Sequence, residues 1–142
     1  MKIRSLSVCV VLLMLFATVG CGESGPKLVP ISGTVTFKGA PVPAGYISFT
    51  PPPGGGAVRV IQIKDGKYDS AEMVGDKGVH PGNNTVLVAG FDGKVVKFYG
   101  QGKQLFNPVT EEITVPGGPS TKAIVIPDAA GKNVKIEPTS DE

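Results

Sequence analysis

Tryptophan is missing from this 142-residue chain, histidine occurs once and cysteine twice. Structural zinc draws four ligands from Cys and His, so that chemistry cannot be assembled here. Any Ser-His-Asp arrangement would depend on His80, with Ser48 or Ser70 and Asp76 or Asp92 as candidate partners. No sequence around those serines forms a nucleophile elbow. The setting His80-Pro81-Gly82-Asn83 reads instead as a type II turn, in which Pro presets one φ and Gly accepts the positive one. Calcium requires clustered oxygen ligands, whereas Asp65, Asp69, Asp76 and Asp92 are scattered. No catalytic residue, metal or cofactor is expected.

What the chain has in quantity is Gly, at 20 residues, and Pro, at 13. These are the two poorest helix formers, and their load argues against a helical bundle. The one long apolar run is Leu6 to Val19, 14 uncharged residues behind Lys2 and Arg4. A membrane-spanning helix needs about 20 apolar residues, and this run falls short. A basic start, a short apolar stretch and a small residue, Gly20, describe a cleaved export signal over residues 1–20. The ending Thr18-Val19-Gly20-Cys21 resembles a bacterial lipobox, in which the Cys thiol takes a diacylglycerol and becomes the new N-terminus. That resemblance implies a lipid anchor at Cys21, although Thr18 stands where a bulky aliphatic residue is usual.

Removal of residues 1–20 takes Lys2 and Arg4 with it, leaving twelve basic against twelve acidic side chains. A nucleic-acid partner would require a basic surplus to neutralise phosphates, so none is expected. Cys9 leaves as well, and acylation would consume Cys21, so no internal disulfide can form. Residues 22–28 are a short leash of at most roughly 25 Å when extended. The expected location is the cell envelope, membrane-anchored and facing the periplasm or exterior.

From Val29 onward no helical period is visible. Ile31 to Phe37 alternates, with Ile31, Gly33, Val35 and Phe37 on one face and Ser32, Thr34 and Thr36 on the other. Further strands are expected over 46–50, 58–63, 67–74, 85–91, 95–99, 111–115, 122–126 and 133–136. Asp65-Gly66 and Asp92-Gly93 both read as tight hairpin turns, because such turns need positive φ. The expected architecture is all-β, a single transthyretin-like or Ig-like β-sandwich of about seven strands over residues 29–136. Residues 137–142 form a polar tail.

Three stretches carry a family resemblance. Gly33-Thr-Val-Thr-Phe-Lys-Gly-Ala-Pro-Val-Pro-Ala-Gly-Tyr-Ile-Ser-Phe49, Asp65-Gly-Lys-Tyr68 and Gly78-Val-His-Pro-Gly-Asn-Asn-Thr-Val-Leu-Val88 resemble carboxypeptidase-regulatory-like, transthyretin-type domains of bacterial envelope proteins. In this resemblance His80 stands where Pro is common, and Asn84 replaces a usual aromatic. The motifs are turn and core signatures and imply architecture rather than chemistry. Transthyretin-fold hydrolases use several His and Arg residues. This chain has one His and, past residue 20, one Arg, which argues against that activity.

The function these features imply is non-enzymatic: a lipid-anchored module presented for structural or binding roles. It would hold the membrane through its N-terminal acyl chains and meet a protein or glycan partner through loops 51–57, 75–84 and 100–110. The alternative is a glycan- or peptidoglycan-binding surface module, for which Phe98 and Tyr99 are the candidate ligand contacts. Tyr46 and Tyr68 lie within strand patterns and read as packing residues. Lys38 and Glu72 are conceivable members of a Lys–Asn or Lys–Asp crosslink of the kind found in collagen-adhesin sandwiches, without a diagnostic motif.

Overall fold

The computed structural model describes residues 27–95 and 100–134. The expected signal segment, Cys21, the Phe98–Tyr99 pair and the 137–142 tail lie outside the described residues. Nine strands follow one another: β1 (Ile31–Phe37), β2 (Ala40–Pro41), β3 (Ala44–Thr50), β4 (Arg59–Lys64), β5 (Lys67–Asp69), β6 (Gly82–Phe91), β7 (Val109–Val115), β8 (Ser120–Thr121) and β9 (Ile124–Ile126). Among the described residues there is no α-helix, only 3-10 turns at Ser70–Glu72 and Asp128–Gly131. The chain is all-β.

Alternation decides which side chains face inward. Ile31 and Val35 of β1, Ile47 and Phe49 of β3, Ile61 and Ile63 of β4, and Val86 and Val88 of β6 fill a single apolar core. Phe106 joins them from a long connection, its ring 5.1 Å from that of Phe37. The strands lie in the order β2-β1-β5-β4-β3-β6-β7 with antiparallel neighbours.

β1 is where the sheet curls. One of its edges takes β5 and then β2, while the other takes β8 and β9 in parallel, so Ser32 pairs with both Asp69 and Thr121. The curled sheet closes over its core in a manner compatible with the expected sandwich. Two of the nine strands, β2 and β8, are only two residues long.

Tight turns set the register. Asp65-Gly66 joins β4 to β5 with φ of 50° and 73°, the two positive values such a hairpin needs. Lys38-Gly39 does the same between β1 and β2, with φ of 51° and 76°. Gly82 carries φ of 96°, in keeping with the turn expected at His80-Pro81.

Several expectations are corrected. The strand expected over 67–74 stops at Asp69. The Asp69 carboxylate accepts the Ala71 N–H at 2.8 Å, and Ser70 turns inward to accept the Ile31 N–H at 2.9 Å, so the chain winds into a 3-10 turn. Asp92-Gly93 is not a two-residue hairpin. Phe91 bridges to Gln104, Asp92 N–H donates to Lys103 O, and Lys94 and Val95 are not in a strand. The expected strand 122–126 shortens to β9, with Lys122 and Ala123 outside any strand, and the two residues of β8 lie ahead of it. At the C-terminal side, Asn133 has φ of 52° and neither it nor Val134 is extended in a strand.

The strand directions divide the molecule into two ends. At the near end lie the start of β1, the 51–58 loop, the 70–81 crossover and the 116–119 loop. At the far end lie the 38–39 and 65–66 turns, residues 92–95 and 100–108, and residues 127–134.

Candidate functional site

The described chain begins at Lys27 and enters the fold at the near end. Val29 and Val79 exchange both backbone hydrogen bonds, at 2.9 and 3.0 Å, which fixes Val29 beside the 70–81 crossover. The three loops expected to act together therefore do not share an end. Residues 51–57 and 75–81 are at the near end with Val29, residues 100–108 are at the far end, and the remaining residues of those ranges belong to β6 and β7. Sequence gives turn positions, but which end a turn occupies follows from strand direction.

His80 sits beneath the near-end loop and is 8 % exposed. A methyl carbon at Gly56 would stand 2.3 Å from its ring, so only a residue without Cβ lets the loop lie on the imidazole. Asn84 Nδ2 donates to the carbonyls of His80 and Gly82, each at 3.0 Å, and holds the turn from inside. His80 Nδ1 and Asn84 Oδ1 are buried without a protein partner among the described residues.

Arg59 clamps the neighbouring segment, donating to the carbonyls of Gly78 and Asp76. This clamp was legible only as the single Arg beyond residue 20; its partners are backbone atoms, which carry no sequence signal.

Among the described residues no hydrogen bond joins the His80 ring to Ser48, Ser70, Asp76 or Asp92. Ser70 Oγ is occupied by the Ile31 N–H, and Asp92 is at the far end, where its carboxylate accepts the N–H groups of Lys94 and Lys103 at 3.0 Å each. Those bonds, that of Lys94 foremost, hold the Asp92 carboxyl below the usual range against a smaller opposing effect of desolvation. Lys38 and Glu72, named for a crosslink, are both exposed and separate. Lys38 lies over the Phe37 ring and Glu72 approaches Lys64 at 3.9 Å. Among the described residues no three His, Cys, Asp or Glu side chains converge as a metal set.

Two clefts border the curl of the sheet. An open one of about 390 Å³ is lined by Ser32, Thr34, Lys64, Lys67, Glu72 and Thr121, with Tyr68 at its floor. Tyr68 is 2 % exposed, donates to Lys122 O at 2.8 Å, and has its phenol pKa pushed up by burial and, secondarily, by Glu111. It packs as the sequence implies and offers no exposed aromatic face.

The smaller cleft, about 260 Å³, runs between β7 and β8 and is lined by Ile113, Thr114 and Ser120, among others. The alternating Ser32 and Thr34 on the polar face of β1 were the signal for the larger cleft. Their partners Lys67 and Thr121 come from pairings the sequence does not reveal. Phe98 and Tyr99 are outside the described residues, as is Cys21.

No family model matches the chain, and no curated protein matches it.

Proposed function

We propose that this chain is a lipid-anchored cell-envelope protein whose β-fold is presented for binding or structural roles rather than catalysis. Acyl chains on Cys21 would hold it on a membrane, each buried methylene contributing about 0.8 kcal/mol. The observation that carries the reading is the polarity of the fold. The leash joins at Val29, while residues 92–95, 100–108 and 127–134 lie at the opposite end. An anchored domain standing on its near end would turn those far-end segments toward partners.

Fractionation of cells expressing the full chain tests this. Wild type is expected with the membranes and Cys21→Ser in the soluble fraction. Equal distribution of the two would refute an anchor at Cys21.

A glycan partner is favoured by one specific feature, the cleft beside β1 with its hydroxyls of Ser32, Thr34 and Thr121 and its mixed charges. Titration with cell-wall fragments, followed by NMR, should then shift the amides of Thr34, Lys67 and Thr121. Shifts confined to other regions would remove that cleft from consideration.

A further inference from the structure

We propose that the near end of the fold is a bilayer-contact face, with Val74 and the Pro52-Pro53 loop resting in the headgroup region. The inference rests on the lipid-anchor reading above and adds an orientation to it. Residues 22–28 separate Cys21 from Val29 and span at most roughly 25 Å. An acylated chain of that length keeps the near end within one leash of the membrane surface, whatever else the domain does.

The near end has the surface for such contact. Val74 is 101 % exposed in the crossover between β5 and β6, so the fold gives it no apolar neighbour to cover it. Pro52 and Pro53 are exposed in the adjoining loop, as are Val58, ahead of β4, and Val60, within it, at 52 % and 51 %. Met73, beside Val74, packs against the core and roots the tip. A fully exposed valine beside an exposed Pro-Pro loop is apolar surface that the fold leaves in water, where a bilayer can take it up.

The tip is also held in place. Arg59 donates to the carbonyls of Asp76 and Gly78, Val79 is bridged to Val29, and the 51–57 loop is seated on His80 through Gly56. A preformed contact loses little conformational entropy on docking.

Charge at this end is mixed, with Lys27, Arg59 and Lys77 alongside Asp69, Glu72 and Asp76. Contact would therefore come from apolar insertion and would respond weakly to salt. The other large exposed apolar residues among those described, Val95 and Val125, lie in the far half. A domain lying on its side could immerse Val125 instead, and the test must separate that posture.

Because Cys21 would be acylated, a second engineered cysteine is the single free thiol of the processed chain. Val74→Cys, Val125→Cys and Lys132→Cys replace exposed side chains. Each full-length protein would be labelled with an environment-sensitive fluorophore and reconstituted in vesicles containing brominated lipid, after its acyl mass is verified. The Val74 label should be blue-shifted and at least twofold quenched by the brominated lipid at both low and high salt, with the other two unaffected. An acylated protein whose Val74 label behaves like the Lys132 label overturns the contact face while leaving the anchor intact. Quenching at Val125 in place of Val74 also overturns it, in favour of the side-lying posture. A protein without acyl mass overturns the anchor and, with it, this inference.

Discussion

Gly33→Ala is the most informative single perturbation of this fold. The added carbon would stand 1.9 Å from the backbone oxygen of Lys122 and 2.8 Å from the Tyr68 ring. An unforced carbon–oxygen approach is about 3.3 Å, so the chain at Lys122 must retreat by roughly 1.4 Å.

Three hydrogen bonds depend on its present position. Lys122 N–H donates to Ser32 O at 2.9 Å, Ser120 N–H to Pro30 O at 3.1 Å, and the Tyr68 hydroxyl to Lys122 O at 2.8 Å. At a net value of about 1 kcal/mol each, their loss costs about 3 kcal/mol. For a domain of about 100 residues each kcal/mol lowers Tm by roughly 4–8 °C, so a fall of roughly 12–24 °C is expected by scanning calorimetry. Gly117→Ala is the control, since no atom lies within 4 Å of its added carbon. Surface changes of that kind stay within about 0.5 kcal/mol. If the two variants melt together, the parallel contact of β1 with the β8–β9 segment does not stabilise the fold as argued.

Phe106→Ala should cost about 3–5 kcal/mol in urea denaturation, because the ring is fully buried against Phe37; a cost under about 1 kcal/mol would show that the 100–108 segment is not part of the core. Ser70→Ala leaves the Ile31 N–H buried without its acceptor and should cost about 1–3 kcal/mol, with faster hydrogen exchange at Ile31; unchanged exchange would contradict this. The Asp92 carboxyl is held low in the folded chain, so its stabilising effect is present above the ordinary aspartate pKa of about 4 and is lost as pH falls through the folded value. Asp92→Asn should flatten that part of the acid limb of Tm against pH, and an acid limb identical to wild type would count against the Lys94 and Lys103 bonds.

The two Asp-Gly dipeptides show how far local sequence reaches. Asp65-Gly66 folds as its composition implies, with the turn closed by the pairing of Lys64 with Lys67. Asp92-Gly93 has the same two residues, yet its carboxylate reaches forward to Lys103 and β6 continues into a bridge with Gln104. The difference is made by a segment ten residues away, which no dipeptide rule contains. The all-β class and β1 were legible because alternation is a local property. The parallel docking of β8 and β9 was not, since strands of two and three residues owe their pairing to tertiary contact.

Asn84 illustrates the same limit at the candidate site. Its position reads as a core site of β6, and the sequence resemblance marks it as a departure from an aromatic. Only the fold shows the amide turned to hold the carbonyls of His80 and Gly82. The grouping of loops failed for a related reason: residues 51–57 and 100–108 look alike as Gly- and Pro-containing breaks between strands, while strand direction puts them at opposite ends. Cys21 could be identified as a candidate because a processing signal is read as a linear string and needs no fold.

The account turns on whether Cys21 carries lipid, and the intact mass of the protein extracted from its own membrane measures that directly. The expected result is a chain lacking residues 1–20 with the added mass of acyl groups, localised to Cys21 by fragmentation. A chain cleaved elsewhere, or cleaved before Cys21 with no acyl mass, would contradict the anchor and the orientation built on it.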